Sequence, residues 1–386
     1  MQPFVFNTTK SIVFRPGASS ELSDLVGALL GDNVLFVTDP GLRKLGLCDP
    51  ALDSLTAAGR SVTVFDQVEA DPSRRTLEAA VNAGKAASVT AVVGFGGGSS
   101  LDVAKLAALL LGSGEDLDEA WGVSMAKGPR LPLVLVPTTA GTGSEVTPVS
   151  IITVGAEEKR GVSSPVILPD IAVLDAELTL GLPASITAAT GVDAMVHAIE
   201  AYSSANSNNN PLSRMLAREA LRLLGANIRT VVNEPDNVEA RGAMLLGSML
   251  AGQAFANSPV AAVHALAYPI GGTFHIPHGL SNALVLPHVL RFNAPQAHEL
   301  YAEIASDAFP NLAGVEGAQA RCAAFIEALE ELATDLDMPT QLRDVDIPED
   351  ALPKMANDAM LQTRLLVNNP RAVSEADALT IYQAAW

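Results

Sequence analysis

Cysteine is nearly absent: Cys48 and Cys322 are the only two in 386 residues, and their spacing forms no redox or metal motif. A chain of this length needs no disulfide staple, so a reducing compartment, and hence a cytoplasmic protein, is expected. Positive charge is also in short supply. Lys and Arg number 24 against 43 Asp and Glu, for a net charge of -19. That balance argues against nucleic acid or an anionic membrane as a partner held by general electrostatics, while leaving room for a local basic pocket. No apolar run approaches the roughly 18–20 residues needed to span a bilayer. Met1-Gln2-Pro3-Phe4-Val5-Phe6 has no basic region followed by an apolar run, so no secretory signal is expected. Histidine is rare too, and its placement is informative: of six, His264, His275 and His278 fall between positions 264 and 278.

What is present is apolar residue, at 48%, and glycine, at 30 residues. The length suits two domains rather than one core. Residues 4–14 read as two short strands around a polar turn, and Ala18 to Leu30 as a helix. Asn33 to Asp39 reads as a buried strand ending in an acid, with a turn from Pro40-Gly41. Helices are expected over Leu52–Ala58 and Pro72–Ala87, and strands over Ser61–Phe65 and Val89–Phe95. This alternation predicts a parallel α/β sheet. After Leu182-Pro183 the chain becomes rich in alanine and leucine with helical periodicity, which places a domain boundary near 183. The expected units are therefore 1–183 and 184–386.

Two strands in the first unit open into loops with binding chemistry. Ala91 to Phe95 runs into Gly96-Gly97-Gly98-Ser99-Ser100, and Leu101-Asp102-Val103-Ala104-Lys105 then starts a helix. Glycines admit close backbone approach, and a helix N-terminus offers free amides to an anion such as a pyrophosphate. The spacing is not the usual dinucleotide fingerprint, and a plain strand–helix turn is the simpler alternative. Leu131 to Val136 leads into Pro137-Thr138-Thr139-Ala140-Gly141-Thr142-Gly143-Ser144-Glu145. A second small-residue loop leaving a strand supports the first, because ligands of open α/β sheets sit outside strand carboxyl ends. Ser150–Val154 and Ile167–Leu174 are expected to pair. Glu157-Glu158-Lys159-Arg160 between them reads as a charged turn.

In the second unit Asp193 and His197 stand four residues apart in an apolar helix, so they share one face. A carboxylate and an imidazole aimed at one point are half of a metal site. His264, on the expected helix Val260–Tyr268, and His278, in a loop 271–279, are candidates for the other half. The plainer alternative is that His197 is a structural partner of Asp193. Helices are expected over Pro211–Leu224, Val238–Phe255, Leu280–Leu290 and Glu375–Ala384. Ser203–Asn210 is expected to be a surface loop.

Taken together, Gly96-Gly97-Gly98-Ser99 with Asp102 and Lys105, Pro137 through Glu145, Gly191-Val192-Asp193 with His197, His264, Pro277-His278-Gly279, Thr38-Asp39 and Asn369-Pro370-Arg371 resemble the iron-containing, or group III, metal-dependent alcohol dehydrogenase family. The resemblance runs essentially from end to end. It implies an α/β N-terminal dinucleotide-binding domain followed by an all-helical C-terminal domain, an architecture shared with dehydroquinate synthases, with the active site in the cleft between them. It implies Asp193, His197, His264 and His278 as metal ligands, with iron(II) expected and zinc as the alternative. It places NAD against Gly97, Gly98, Ser99, Asp102, Thr138, Thr139, Thr142 and Ser144, with Lys159 near the nicotinamide ribose. Asp39 would meet the adenosine ribose, where its charge disfavours a 2′-phosphate and so favours NAD over NADP.

The resemblance further implies hydride exchange between an alcohol and its aldehyde or ketone, on a small-molecule substrate and in a homodimer. Two departures stand out. Ser100 replaces a common proline, and Tyr268 replaces a histidine that many relatives use in proton relay. A phenol of reference pKa about 10 is a poor base at neutral pH, so His275 is a second candidate for that role beside Tyr268. Metal-independent maleylacetate reductases share the fold but lack the ligand set, and glycerol dehydrogenases use fewer histidines at the metal. A non-enzymatic assembly protein of this fold would be expected to have lost the ligands or the loops, and both are intact here.

Overall fold

The computed structural model describes residues 2–155 and 158–386. The chain folds into two compact units. One is Asn7–Leu180, and the other joins the N-terminal residues up to Phe6 with Gly181–Trp386.

The first unit is built on strands β1 (Ser11–Phe14), β2 (Asn33–Val37), β3 (Ser61–Phe65), β4 (Ala91–Gly96), β6 (Leu133–Pro137) and β9 (Ile171–Leu174), all parallel and ordered β1-β9-β6-β4-β2-β3. Period-2 alternation divides their side chains between two cores. Leu35, Val37, Val92, Leu133 and Leu135 enter one, and Val34, Phe36, Val93, Phe95, Val134 and Val136 the other. Helices cover both faces, which is why these strands read as near-continuous apolar runs. They are α1 (Leu22–Val26), α2 (Pro40–Lys44), α3 (Asp49–Ala57), α4 (Arg74–Ala86), α5 (Gly98–Ser113) and α6 (Leu117–Ala120).

Three expectations for the N-terminal half of the chain are corrected. Residues 4–9 form no strand; the backbone N–H and carbonyl of Val5 bond instead to the Asn208 side chain, both at 2.9 Å. Pro40-Gly41 opens a short helix, with proline at its first turn and Asp39 as its cap. Residues 150–154 do not pair with 167–174. A separate sheet joins β5 (Gly122–Val123), β8 (Glu158–Ser163) and β7 (Val149–Val154), while β9 inserts between β1 and β6. Glu158-Lys159-Arg160 is thus strand, with Glu158 and Arg160 exposed and Lys159 half-buried between them; Glu157 lies outside the described residues.

The second unit contains α7 (Ala184–Ser203), α8 (Pro211–Asn233), α9 (Val238–Asn257), α10 (Ala262–Phe274), α11 (His278–Ala308), α12 (Ala318–Asp335), α13 (Leu352–Ala359), α14 (Thr363–Leu366) and α15 (Glu375–Ala385). α7 is the central helix, packed by α8, α9 and α11, and is buried almost continuously from Gly191 to Ser203. The expected loop 271–279 shrinks to 275–277. Gly271 and Gly272 weaken a helix by about 1 kcal/mol each, but they keep their N–H donors, and α10 runs through them. Residues 204–210 form the expected loop, and its asparagines tie it down. Asn210 forms a capping box on α8, and Asn209 donates to the carbonyls of Tyr202 and Ser204. No helix among the described residues is long and apolar enough to cross a membrane.

Asp170 fastens the β1–β9–β6 edge. It accepts from Lys10 at 2.6 Å, Arg130 at 2.6 Å and the Leu133 amide at 3.0 Å. Burial works to raise this carboxyl, but the two cations and the amide outweigh it and hold it at about 2. A depressed acid stabilises the fold above its unfolded value of about 4 and loses that effect as pH falls toward 2. Asp170→Asn is therefore expected to cost about 2 kcal/mol at neutral pH. In denaturant titrations the gap from wild type should stay constant from pH 7 to 5 and shrink below pH 4; a pH-independent gap would contradict the assignment.

Candidate metal centre and nucleotide loops

The helical unit brings four side chains to one point. Asp193 and His197 leave α7 one turn apart, His264 comes from α10 and His278 from the first residue of α11. Each offers one ligand atom, and these atoms lie within 4.8 Å of one another. Asp193, His197 and His264 are buried, and His278 is exposed, at 42% of its side chain. Gly279 makes the approach of α11 possible. A Cβ there would lie 2.3 Å from the Ala189 carbonyl oxygen and 3.2 Å from Asp193 Cβ, so only glycine lets His278 stand against α7.

The surroundings orient the ligands. Glu200, seven residues after Asp193 on the same face of α7, accepts from His264 Nδ1 at 2.6 Å and from the Val263 amide at 2.7 Å. A carboxylate can only accept, so Nδ1 carries the proton and His264 Nε2 presents a lone pair to the site. His197 is stacked between Phe255 at 4.4 Å and His264 at 4.7 Å. Asn282, one turn after His278, donates through Nδ2 to Asp193 Oδ1 at 2.7 Å and lies 3.4 and 3.3 Å from the Nε2 atoms of His264 and His278. Its own Oδ1 is buried without a partner. Burial works to raise the Asp193 carboxyl, yet the imidazoles of His197, His278 and His264 and the Asn282 amide hold it below its ordinary value.

This donor set fits a divalent cation. A buried anion and the lone pair fixed on His264 Nε2 converge here, which is costly unless positive charge sits among them. One carboxylate and imidazole nitrogens are the ligand chemistry of iron, zinc, manganese or cobalt. Glu200 and Asn282 were not singled out from sequence. Glu200 was readable, since positions 193, 197 and 200 share a helical face; Asn282 depends on how α11 meets α7.

The two proton-transfer candidates are placed differently. The Tyr268 ring lies 6.2 Å from that of His278, and its hydroxyl accepts from Arg364 at 3.1 Å. His275 is the exposed left-handed residue (φ +57°) that closes α10, and it is not one of the converging four.

In the α/β unit, the chain leaves β2 toward β3 on one side and leaves β4 toward β6 on the other, so their carboxyl ends flank a topological switch point. Asp39 follows β2, and Gly97-Gly98-Ser99 follows β4. No side chain caps α5, so its first amides are available to an anion. A Cβ at Gly98 would lie 2.9 Å from Thr142 Cγ2, which keeps the two loops in contact.

Several expected contacts of this region are engaged within the unit. Asp39 caps α2 through the Leu42 amide at 3.0 Å. The Ser99 hydroxyl donates to the Ala70 carbonyl. Asp102 accepts from the Ser144 hydroxyl at 2.6 Å and from the Ile151 amide at 2.8 Å. Lys159 pairs with Asp71 at 2.6 Å. Thr138 is buried, and Thr139 and Thr142 are part-exposed. Beneath the loops, fully buried Lys105 donates to Ser144, Thr147 and the Val149 carbonyl at 2.7, 3.2 and 2.6 Å. Burial lowers this lysine against the pull of Asp102 and Glu145, and burial also raises Glu145 to about 7.

Residues 9–176 match the family model described as iron-containing alcohol dehydrogenase, and 187–386 the one described as the Fe-containing alcohol dehydrogenase family, C-terminal. The chain belongs to the iron-containing alcohol dehydrogenase family. It is 41% identical over 386 residues to long-chain-alcohol dehydrogenase 1 of Geobacillus thermodenitrificans, covering 97% of this chain and 96% of that one. The crystal structure of a 1,3-propanediol oxidoreductase superposes with a TM-score of 0.95 at 35% identity over 100% of both chains. A sulfoacetaldehyde reductase from Bifidobacterium kashiwanohense, solved in complex with NAD+, gives 0.88 at 28% identity over 100% of this chain and 99% of that one.

The Glu200 contact predicts a specific metal phenotype. Glu200→Gln should weaken metal affinity by about 10- to 100-fold without unfolding the unit. Competition against a chromophoric chelator measures this, and an unchanged affinity would show that Glu200 does not tune His264.

Proposed function

We propose that this chain is an NAD-linked dehydrogenase that interconverts an alcohol and its aldehyde or ketone at a divalent metal held by Asp193, His197, His264 and His278. The observation that carries the reading is the convergence of one carboxylate and three imidazoles on one point. When bound, the metal supplies Lewis acidity to the substrate oxygen, and NAD supplies or accepts the hydride.

The remaining roles belong to the chain. Glu200 keeps His264 in the tautomer that offers Nε2, and Asn282 steadies Asp193. Phe255 shields one face of His197 and keeps water from it. The free amides of Gly98 and Ser99 hold the pyrophosphate, with Gly97 giving the backbone room; Thr138, Thr139 and Thr142 line the nucleotide. Asp102 and Ser144 act from behind, by tying the two loops together. Asp39 disfavours a 2′-phosphate, and Lys159 lies by the nicotinamide ribose. Of the two proton-transfer candidates we favour Tyr268. Its oxygen accepts from Arg364, which leaves the phenolic proton to be donated toward the site; His275 has no contact that supports the role.

The reading carries iron(II) as the resident metal, with zinc as the alternative, and a cytoplasmic homodimer. Two free, buried cysteines suit a reducing compartment. β1 is an edge strand with Phe14 44% exposed, a surface that a second copy would cover.

The test is a metal and turnover assay on protein purified without oxygen. About one metal per chain is expected, with NADH oxidation by short aldehydes lost on chelation and restored by iron(II). Turnover that survives metal removal would sink the proposal. His264→Ala should lose tight metal binding and aldehyde reduction while still binding NADH by fluorescence. Gly98→Val should do the reverse, keeping the metal and losing NADH, because its side chain would strike Thr142.

A further inference from the structure

The helical unit sets an unmatched cation beside its metal-ligand cluster. Arg364 lies on α14, and its Nη2 donates to the Tyr268 hydroxyl at 3.1 Å while its Cζ stands 5.9 Å from the Tyr268 ring centroid. The same ring is 6.2 Å from His278, and Tyr268 follows His264 by one turn of α10. The guanidinium is thus one aromatic ring removed from two of the four candidate ligands.

No carboxylate among the described residues pairs with Arg364. Four other arginines of this unit pair with carboxylates, Arg291 with Glu330, Arg229 with Asp335, and Arg218 and Arg222 with Asp307, whereas Arg321 and Arg371 are held by backbone carbonyls and Arg364 by a phenol. In a chain with 43 acids and 24 bases, the lack of a partner reflects placement, not a shortage of acids. The phenol is the one side-chain acceptor of Arg364, and a guanidinium has several further N–H donors in a planar fork suited to an oxyanion. Tyr268 holds one edge of that fork and leaves the others exposed. Leu361 and Val367, three residues to either side, are each 73% exposed. The segment therefore offers a fixed cation between two apolar side chains, the complement of an anion on a short alkyl chain.

We propose that Arg364, positioned by Tyr268, is a specificity-determining residue that binds the sulfonate or carboxylate of a short anionic aldehyde or alcohol while its oxygen-bearing carbon is at the metal cluster. This rests on the dehydrogenase reading above and adds the substrate class to it.

The experiment compares charged and uncharged aldehydes of matched shape on metal-loaded enzyme with NADH. One pair is 2-oxoethanesulfonate and 3,3-dimethylbutanal, and the other is 4-oxobutanoate and 4-methylpentanal. Wild type should favour the anionic member of at least one pair by about tenfold or more in kcat/KM, and which pair does so identifies the anion. Arg364→Gln should reduce that discrimination ratio by about 10- to 100-fold, mainly through KM for the anion, since a charge-assisted contact is lost. Arg364→Lys should retain part of the ratio, keeping charge without the fork. Equal use of both members by wild type, or a loss in Arg364→Gln shared equally within each pair, overturns the role of Arg364 and leaves the dehydrogenase standing. No turnover of any aldehyde by metal-loaded wild type overturns both.

Discussion

The second unit is organised by an electrostatic imbalance at one buried point. Asp193 and the Nε2 atoms of His264 and His278 all face the Asn282 amide, so that a buried carboxylate and the lone pair fixed on His264 converge on one spot. Such an arrangement persists only if the helices that bear it are fixed by other means. α7 does this by being enclosed by α8, α9 and α11, so that its polar face has no solvent to turn toward. The tight contact of Gly279 with Ala189 holds the start of α11 against the same helix. Glu200 then removes the one freedom left to His264, the choice of tautomer.

The α/β unit solves a different problem. Its candidate ligand-binding groups are backbone amides at an uncapped helix start, and these need steady loops more than particular side chains. The steadiness comes from below. Asp102 links α5 to Ser144 and to β7, and Lys105 adds bonds to Ser144, Thr147 and the Val149 carbonyl. A buried lysine and a buried glutamate are both pushed toward neutrality there, so the cluster is held by hydrogen bonds as much as by charge. Asp102 and Ser144, expected as ligand contacts, also brace the two loops against each other.

How much could be read in advance follows from the range of each interaction. β2, β4 and β6 were legible because a strand buried on both faces leaves an unbroken apolar run, and β3, at the sheet edge, because of its β-branched residues. The pair Asp193 and His197 was legible because one helical turn joins them, and Glu200 could have been found by extending the same face. Pairing was not legible where partners are distant: β9 between β1 and β6, or Val5 bonded to Asn208 across 203 residues. Charge misled at Glu158-Lys159-Arg160, since a strand with an exposed face carries charged side chains as freely as a turn. Glycine misled at 271–272, where tertiary packing of α10 outweighs a modest loss of helix propensity. The asparagine-rich stretch 203–210 was legible as a loop, but not that its amides serve the backbone.

The two units thus leave different traces for physical reasons. A loop that binds through its amides is recorded as glycine and small hydroxyls, residues chosen for what they do not obstruct. A metal cluster is recorded as particular ligands at fixed helical offsets, because the atoms that matter are on the side chains. Arg364 belongs to neither kind. Ninety-six residues separate it from the tyrosine that it contacts, and no local pattern marks it. Residues of this kind, brought by the fold to the edge of a centre whose ligands are already complete, are free to differ among proteins that share the centre. That is the expected place for substrate choice to reside: the metal cluster and the glycine loop constrain the chemistry, and a cation one ring away alters which molecule can present itself to it.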